Sequence, residues 1–213
     1  MSINEELGVA TPCEFLLVRH AVPEPDGTLD PGLGDEGLAQ AHALIDYLAG
    51  VPVDAVYSSH LKRAVETITP LAADRGLPLT IDEGLREWVS NATHYTGTER
   101  MVDKSRTKAF LEGRYEDEFM PPHNADELRA TMVATVRRIG LAHQGQRVVA
   151  CSHGGASNTF LAAVLDSPRR FFFNPGYASI SRLQVWPDGR FVLMSINEHT
   201  GPWDQRPDLM PGG

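Results

Sequence analysis

Short apolar runs alternate with segments of helical spacing along this chain, and this alternation limits the fold more than any other feature of the sequence. Dense apolar runs at Cys13 to Val18, Val53 to Tyr57 and Arg147 to Cys151 have the length and composition of buried strands. Downstream of each run, apolar residues recur every three or four positions, which is typical of a helix with one buried face. Alternating strands and helices predict a mostly parallel sheet covered by helices on both faces.

Three further strands are predicted toward the edges of this sheet. Pro78 has no N–H to donate, so the run Leu77 to Ile81 is expected at an edge or at a strand start. The strands at about Ser179 to Trp186 and Arg190 to Ile196 pair across the turn Pro187-Asp188-Gly189. The predicted fold class is therefore α/β, a three-layer α/β/α sandwich whose mostly parallel central sheet has an antiparallel edge strand.

Helix boundaries are predicted from residues that start and stop helices. Apolar spacing over Leu38 to Leu48 predicts the first helix, and Gly50 follows where a helix would end. Ser59 is expected to cap the second helix. The segment Asn124 to Glu127 has the spacing of a capping box, and it is expected to open a later amphipathic helix.

The length of 213 residues favours one domain. We expect a disordered lead-in over residues 1–12, a single domain over residues 13–200 and a C-terminal tail over residues 201–213. The irregular stretch at about residues 84–122 is interpreted as an insertion over one face of the domain, with one helix around Glu99 to Leu111.

Charge and cysteine content exclude several classes of protein. The chain has 19 Lys and Arg against 28 Asp and Glu, a formal net charge of −9, and no basic stretch, so a generic nucleic-acid-binding surface is excluded. No apolar run reaches about 18 residues, so no membrane span is expected. Cys13 and Cys151 have no metal-ligand spacing, and we expect both to be free thiols. With no secretory signal at the start, a cytoplasmic location is predicted.

Charged and histidine side chains follow the predicted strands at the point where each strand ends. Arg19 and His20 follow the first strand, Arg63 lies one turn into the helix after the second, Glu87 follows the third, and His153 follows the fourth. Each residue alone is also typical of a structural or solvent-exposed position. Because ligands of parallel sheets bind at the carboxyl ends of strands, their joint placement favours a pocket for a compact anion.

The chemistry of these residue types agrees with a phosphoryl group as that anion. Neutral imidazole is a good nucleophile, and an ordinary histidine is largely neutral at pH 7. Arginine bonds two phosphoryl oxygens at once and stays charged throughout. Gly154 and Gly155 open a helix, so their backbone N–H groups are expected to contribute to the anion site.

Four segments carry motifs that occur together in one known family: Leu16 to His20, Tyr57 to Ala64, Leu85 to Glu87 and Cys151 to Gly155. Together they resemble the histidine phosphatase superfamily, which has the phosphoglycerate-mutase-like fold. The likeness covers about residues 13–200, because Gly34 to Ala41 is similar to the family's helix opening and Ala178 to Leu183 to its penultimate strand.

The resemblance implies a phosphatase, a phosphoric monoester hydrolase that needs neither metal nor cofactor. His20 would attack phosphorus and become a phosphohistidine, while Arg19, Arg63 and His153 would hold the phosphoryl oxygens and Glu87 would protonate the leaving oxygen. The expected partner is a small phosphorylated metabolite, with no nucleic acid and no membrane.

Several positions depart from the family pattern. Ala21 replaces the usual glycine after the catalytic histidine, and Val22 to Asp26 lacks the usual asparagine of the first loop. His60 replaces a proline, and is interpreted as a residue pointing to water rather than an added pocket contact. His123 to Glu127 stands in place of the usual Gly-Glu-Ser. Four insertion residues are expected to line the substrate mouth or to have surface and packing roles: Trp88, Asn91, His94 and Tyr95.

Two other functions stay open at this point. A phosphoglycerate-type phosphomutase is the runner-up, but Trp88 to Asn91 replaces the Tyr-Gly stretch of the mutases and the chain is shorter than theirs. A catalytically silent phosphate-binding or docking domain would have no need for a nucleophile and an acid. Phe171 to Phe173 is either a self-association surface, which would give a homodimer, or a run buried under the final hairpin.

Overall fold

A mixed six-stranded sheet lies at the centre of the fold. The computed structural model describes residues 10–87, 108–109, 112–114 and 122–200. Within these residues, the strands follow the spatial order β3-β2-β4-β1-β5-β6. Their bounds are β1 Cys13–Arg19, β2 Ala55–Ser58, β3 Leu79–Ile81, β4 Arg147–Ser152, β5 Ile180–Val185 and β6 Phe191–Glu198.

The strand directions confirm the predicted sheet. β1 pairs with β4, β4 with β2 and β2 with β3, all in parallel, so β3 lies at an edge as expected. β5 runs antiparallel to β1, and β6 runs antiparallel to β5, which gives two antiparallel strands at the other side. In the middle of the sheet, Val18 of β1 lies between Cys151 of β4 and Ile180 of β5.

Among the residues that the structure describes, four helices of eleven or more residues cover the two faces of the sheet. Side chains of β1 alternate between the faces, as the pleat requires: Leu16 and Val18 pack with the first two helices, and Phe15 and Leu17 pack with the last two. This confirms the three-layer arrangement. The helix bounds are α1 Asp35–Tyr47, α2 Lys62–Asp74, α3 Pro122–Ala142 and α4 Gly154–Val164, with a short 3-10 turn at Glu83–Leu85.

The predicted helix starts are partly wrong. Leu61, not Ser59, is the N-cap of α2, and its own side chain makes no capping hydrogen bond. The first helical N–H, that of Lys62, donates instead to the Asp30 carboxylate at 3.0 Å. Ser59 is instead buried, and its hydroxyl lies 2.8 Å from His153 Nε2. The capping box at Asn124 is also wrong, because α3 already includes Pro122. Proline fits the first turn of a helix, where its missing N–H would have no partner within the helix. The end of α1 is as expected, with Gly50 at φ +74°.

The insertion lies largely outside the described residues. Of the helix predicted around Glu99 to Leu111, Lys108 and Ala109 are described, and both are helical. The lead-in up to residue 9 and the tail from residue 201 also lie outside.

The phenylalanine run packs against the core rather than forming a free apolar surface. Phe172 and Phe173 are half-buried against the cluster between the sheet and α3 and α4. Their backbone N–H groups donate to the side-chain oxygen of Asn158, at 3.2 and 3.4 Å. These contacts favour the buried interpretation of the run over a self-association surface.

Both cysteines are buried, free thiols, as predicted. Burial raises the pKa of Cys13 to about 12, with smaller contributions from Glu14 and Asp54. Burial likewise raises the pKa of Cys151. Both side chains are therefore protonated and contribute to the fold as small apolar groups.

No helix within the described part of the chain is both long and apolar enough to cross a bilayer.

Gly140 allows α3 to lie directly on β5, which gives a prediction. A Cβ at position 140 would lie 2.4 Å from Val185 Cβ, so the helix and the strand would have to separate. Overpacking costs about 1–3 kcal/mol, whereas alanine gains up to about 1 kcal/mol in helix propensity. We therefore expect Gly140→Ala to lower the free energy of unfolding by about 1–2 kcal/mol, measured by urea denaturation.

The control is the double variant Gly140→Ala with Val185→Gly. It should be less destabilised than the sum of the two single variants, because removing the side chain at position 185, including the Cβ 2.4 Å from the new methyl group, leaves room for it. A single Gly140→Ala variant as stable as the wild type would contradict the close contact.

Candidate active site

The candidate site lies at the topological switch point of the sheet, between the carboxyl ends of β1 and β4. From β1 the chain passes through α1 toward β2 on one side, and from β4 it passes through α4 to β5 on the other. The two connections leave on opposite faces, so a crevice opens where these neighbouring strands end. His20 follows β1 at this crevice and His153 follows β4.

The two ring nitrogens of His20 have different hydrogen-bond partners, and these partners fix its tautomer. Its Nδ1 lies 2.8 Å from the carbonyl oxygen of Ala21, which can only accept, so Nδ1 carries the proton. The Nε2 lone pair then points into the crevice toward Arg63, whose Nε–H donates to it at 3.4 Å. Burial, followed by the charges of Arg63, His153 and Arg19, holds the pKa of His20 well below its ordinary value near 6.5. The imidazole is therefore neutral and nucleophilic at pH 7.

Arg63 is fixed beside His20 by its own backbone and by a carboxylate. It is buried on the first turn of α2, and its Nη1 donates to Asp30 Oδ1 at 3.2 Å. Its carbonyl oxygen accepts from the Thr67 hydroxyl at 2.6 Å, and that hydroxyl oxygen accepts from the Ala21 N–H at 2.8 Å. Thr67 thus ties the turn after β1 to the helix that carries the arginine.

Arg19 is held on three sides. Its Nη1 donates to the carbonyl oxygen of Pro175 at 2.5 Å, and its guanidinium carbon lies 4.1 Å from the centre of the Tyr177 ring. On a third side the guanidinium lies against Gly154, where a Cβ would come within 3.2 Å of Arg19 Nε. These contacts fix the direction of a planar, permanently charged group before any ligand binds.

His153 faces His20, with a ring-to-ring distance of 5.1 Å. Its Nε2 lies 2.8 Å from the Ser59 hydroxyl, and its Nδ1 has no hydrogen-bond partner among the residues that the structure describes. Burial and then the charges of Arg63 and Arg19 hold the pKa of His153 well below its ordinary value. A buried ring nitrogen without a partner is costly unless a ligand supplies one.

Glu87 lies at the rim of this crevice, next to the first turn of α4. The Gly155 N–H donates to Glu87 Oε2 at 2.9 Å, so the carboxylate lies at the positive end of the helix. The main chain leading to Glu87 is anchored two residues earlier, where Leu85 accepts a hydrogen bond from the Ser152 hydroxyl at 2.7 Å. The carboxyl group therefore lies against Gly155, next to the glycine that contacts Arg19.

The arrangement suits a compact anion attacked by a nitrogen nucleophile. Burying two guanidinium groups beside two imidazoles costs solvation free energy, which an anion bound between them would offset. Arg19 and Arg63 can hold equatorial oxygens while His20 Nε2 faces the central atom. Among the described residues, no three His, Cys, Asp or Glu side chains are grouped as metal ligands would be.

All six candidate site residues come together at this rim: His20, Arg19, Arg63, Glu87, His153 and Gly154. The expectation for Gly155 is wrong, because its N–H donates to Glu87 rather than being open to a ligand.

Ala21 has no positive φ, so the replacement of glycine there carries no backbone strain. His60 is exposed, in agreement with a residue that points to water. The insertion residues Trp88, Asn91, His94 and Tyr95 lie outside the described residues.

Sequence reasoning missed the residues that hold this set in place. Tyr177 could have been found, because β5 is antiparallel and therefore begins at the rim where the parallel strands end. Asn197 holds the segment just before Tyr177. Its side-chain oxygen accepts from the Gly176 N–H at 2.7 Å, and its Nδ2 donates to the carbonyl oxygen of Asn174 at 3.4 Å. No local pattern identifies Asn197, Asp30 or Thr67, because their roles depend on contacts with distant segments.

Comparison with known proteins agrees with this geometry. The model of the histidine phosphatase superfamily, branch 1, matches residues 15–199. A phosphoglycerate mutase-like protein 4 of Arabidopsis thaliana is 30% identical over 173 residues, covering 74% of this chain and 73% of the relative. A glucosyl-3-phosphoglycerate phosphatase of Mycolicibacterium vanbaalenii is 31% identical over 174 residues, covering 72% and 75%.

A solved structure of a mycobacterial glucosyl-3-phosphoglycerate phosphatase, complexed with VO3, is also similar. It superposes with a TM-score of 0.69 at 25% identity, covering 87% of this chain and 98% of that chain. The region matched by the family model, residues 15–199, contains every site residue and every strand and helix described above except the first two residues of β1. This chain therefore belongs to the histidine phosphatase superfamily, and the phosphatases among its relatives support its assignment as a phosphoric monoester hydrolase.

Proposed function

We propose that this chain hydrolyses small phosphomonoesters, without a metal ion, through a phosphohistidine at His20. The observation that carries the proposal is the state of the His20 ring. Its Nδ1 proton is held by the Ala21 carbonyl oxygen, and its neutral Nε2 lies beside Arg63 and faces His153. A neutral nitrogen nucleophile fixed among buried cations is what a two-step phosphoryl transfer requires.

In the first step, His20 Nε2 attacks phosphorus as the bond to the ester oxygen breaks. Negative charge spreads over the three equatorial oxygens, where Arg19, Arg63 and His153 stabilise it. His153 Nδ1 needs a proton to donate to an oxygen, and the bound dianion would favour that protonated form. Glu87, protonated at this stage, gives its proton to the leaving oxygen, so the alcohol departs neutral.

In the second step, water replaces the alcohol. Glu87, now a carboxylate, takes a proton from the water as its oxygen attacks phosphorus, and the bond from phosphorus to His20 Nε2 breaks. The products are inorganic phosphate and the free neutral imidazole. Glu87 is again protonated, so each turnover starts from the same state.

The relatives support a small substrate. Two of the relatives described above are named for glucosyl-3-phosphoglycerate, a small phosphorylated metabolite. A net charge of −9 disfavours a polyanionic substrate for this chain, so we propose a sugar or metabolite phosphate with one phosphoryl group. A single domain over residues 13–200, a cytoplasmic location and a homodimer stay predictions.

Release of inorganic phosphate from a panel of small phosphate esters tests the proposal. We expect release by the wild type, unchanged by EDTA, and a loss of at least about 100-fold in His20→Ala, because the nucleophile is gone. His42→Ala is the matched control, since His42 is an exposed histidine on α1. It should retain full activity.

Three results would contradict the proposal. Residual activity above a few per cent in His20→Ala would remove His20 as nucleophile. Loss of activity on chelation, restored by added metal, would overturn the metal-independent mechanism. Transfer of phosphate between two positions of a substrate, without release, would identify a phosphomutase instead.

Folding stability should fall as the pH drops below about 6.5, because His20 and His153 have folded-state pKa values well below their unfolded values. In that range the unfolded chain binds protons that the folded chain does not, so the free energy of unfolding decreases toward acid. Each histidine contributes up to about 1.4 kcal/mol per pH unit.

Urea denaturation at several pH values between 7.5 and 5.5, in buffer without phosphate, measures this slope. His20→Asn and His153→Asn should each flatten it. A slope equal to that of the wild type in both variants would contradict the burial of two neutral imidazoles.

A further inference from the structure

Two adjacent glycines at the start of α4 contact two different functional groups. Gly154 lies against the guanidinium of Arg19, and Gly155 lies against the carboxylate of Glu87. Neither glycine has a positive φ. Their lack of a side chain therefore matters for what lies next to them, not for the backbone conformation.

The contact at Gly155 is the closer of the two. A Cβ at position 155 would lie 2.6 Å from Glu87 Oε1 and 3.1 Å from its carboxyl carbon. The same residue donates its N–H to Glu87 Oε2 at 2.9 Å. The carboxylate therefore packs against the Cα of Gly155 and accepts from its N–H. It fills the space that the side chain of any other residue at position 155 would occupy.

The main chain next to Glu87 cannot easily move to compensate. The carbonyl oxygen of Leu85 accepts from the buried Ser152 hydroxyl at 2.7 Å, which fixes this segment to the end of β4. A methyl group at position 155 would thus be accommodated by rotation of the flexible Glu87 side chain. Such rotation breaks the hydrogen bond from the Gly155 N–H and takes the carboxyl group away from the leaving oxygen.

We propose that Gly155 is a positioning residue that sets the place of the acid, and that Gly154 separately sets the place of Arg19. This inference rests on the proposed function, in which Glu87 protonates the leaving oxygen. It assigns the two neighbouring glycines to two different parts of one reaction. Gly155 acts on leaving-group departure, and Gly154 acts on phosphoryl binding.

Dependence on the leaving group separates these roles. The activated aryl ester p-nitrophenyl phosphate has a phenolate leaving group, which departs without a proton. The alkyl ester 2-glycerophosphate has an alkoxide leaving group, which needs a proton to depart. We expect Gly155→Ala to lower kcat on the alkyl ester by about 100-fold and on the aryl ester by less than about threefold. Its thermal midpoint should change little, because the better helix propensity of alanine offsets the lost hydrogen bond to Glu87.

Two variants are matched controls. Gly154→Ala moves the neighbouring Arg19 by a few tenths of an ångström, since its Cβ would be 3.2 Å from Nε. It should raise KM for both esters, and the inhibition constant of inorganic phosphate, by a similar factor. The double variant Gly155→Ala with Glu87→Gln should be no slower than Glu87→Gln alone, because both changes remove the same proton transfer.

Equal losses on both esters in Gly155→Ala, or additive losses in the double variant, would overturn the proposal. A crystal structure of Gly155→Ala gives a readout that does not depend on turnover. The proposal expects the Glu87 carboxyl group to leave the N–H of residue 155 while Arg19 and His20 keep their places. A carboxyl group still bonded to that N–H would overturn it, even if the proposed activity itself proved wrong.

Discussion

The hydrogen bond from His20 Nδ1 to the Ala21 carbonyl oxygen is the interaction on which the candidate site depends. The turn after β1, which carries this carbonyl, is held by three consecutive backbone N–H groups. The N–H of His20 donates to the carbonyl oxygen of Ser152 in β4. The N–H groups of Ala21 and Val22 donate to the side chains of Thr67 in α2 and Gln40 in α1. Three separate elements of the fold thus fix the peptide that orients the nucleophile, so the ring needs no carboxylate to select its tautomer.

The same anchoring accounts for the charge arrangement around the nucleophile. Arg63 is positioned by α2, whose Thr67 also binds the turn, and Arg19 is the last residue of β1 itself. Both guanidinium groups are nearly fully buried. Burial first, and then the neighbouring charges, lower the pKa of His20 and keep its imidazole unprotonated beside the two cations. The electrostatics that bind a phosphoryl group therefore also keep the nucleophile reactive.

The sequence predicted the sheet and the convergence of the six candidate site residues for one physical reason: parallel strands end at one edge, and the residues that follow them must meet there. Roles that depend on competition between partners were not predictable. Ser59 has a good capping side chain, but burial next to His153 gives its hydroxyl another partner. The Gly155 N–H was expected to donate to a bound anion, but it donates instead to the carboxylate of Glu87. Asn197 acts through Gly176, 21 residues earlier, and no local pattern encodes a contact at that separation.

Trapping the covalent intermediate tests the central claim most directly. Native protein would be mixed with a phosphate ester, quenched in alkali during turnover and digested, and the phosphorylated peptide would be sequenced by mass spectrometry. The account predicts an acid-labile phosphoryl group on His20, absent from His20→Ala and still formed in His153→Asn at a lower level. A phosphoryl group on Ser59 or on His153, or phosphate release with no protein-bound phosphoryl group at any stage, would contradict it.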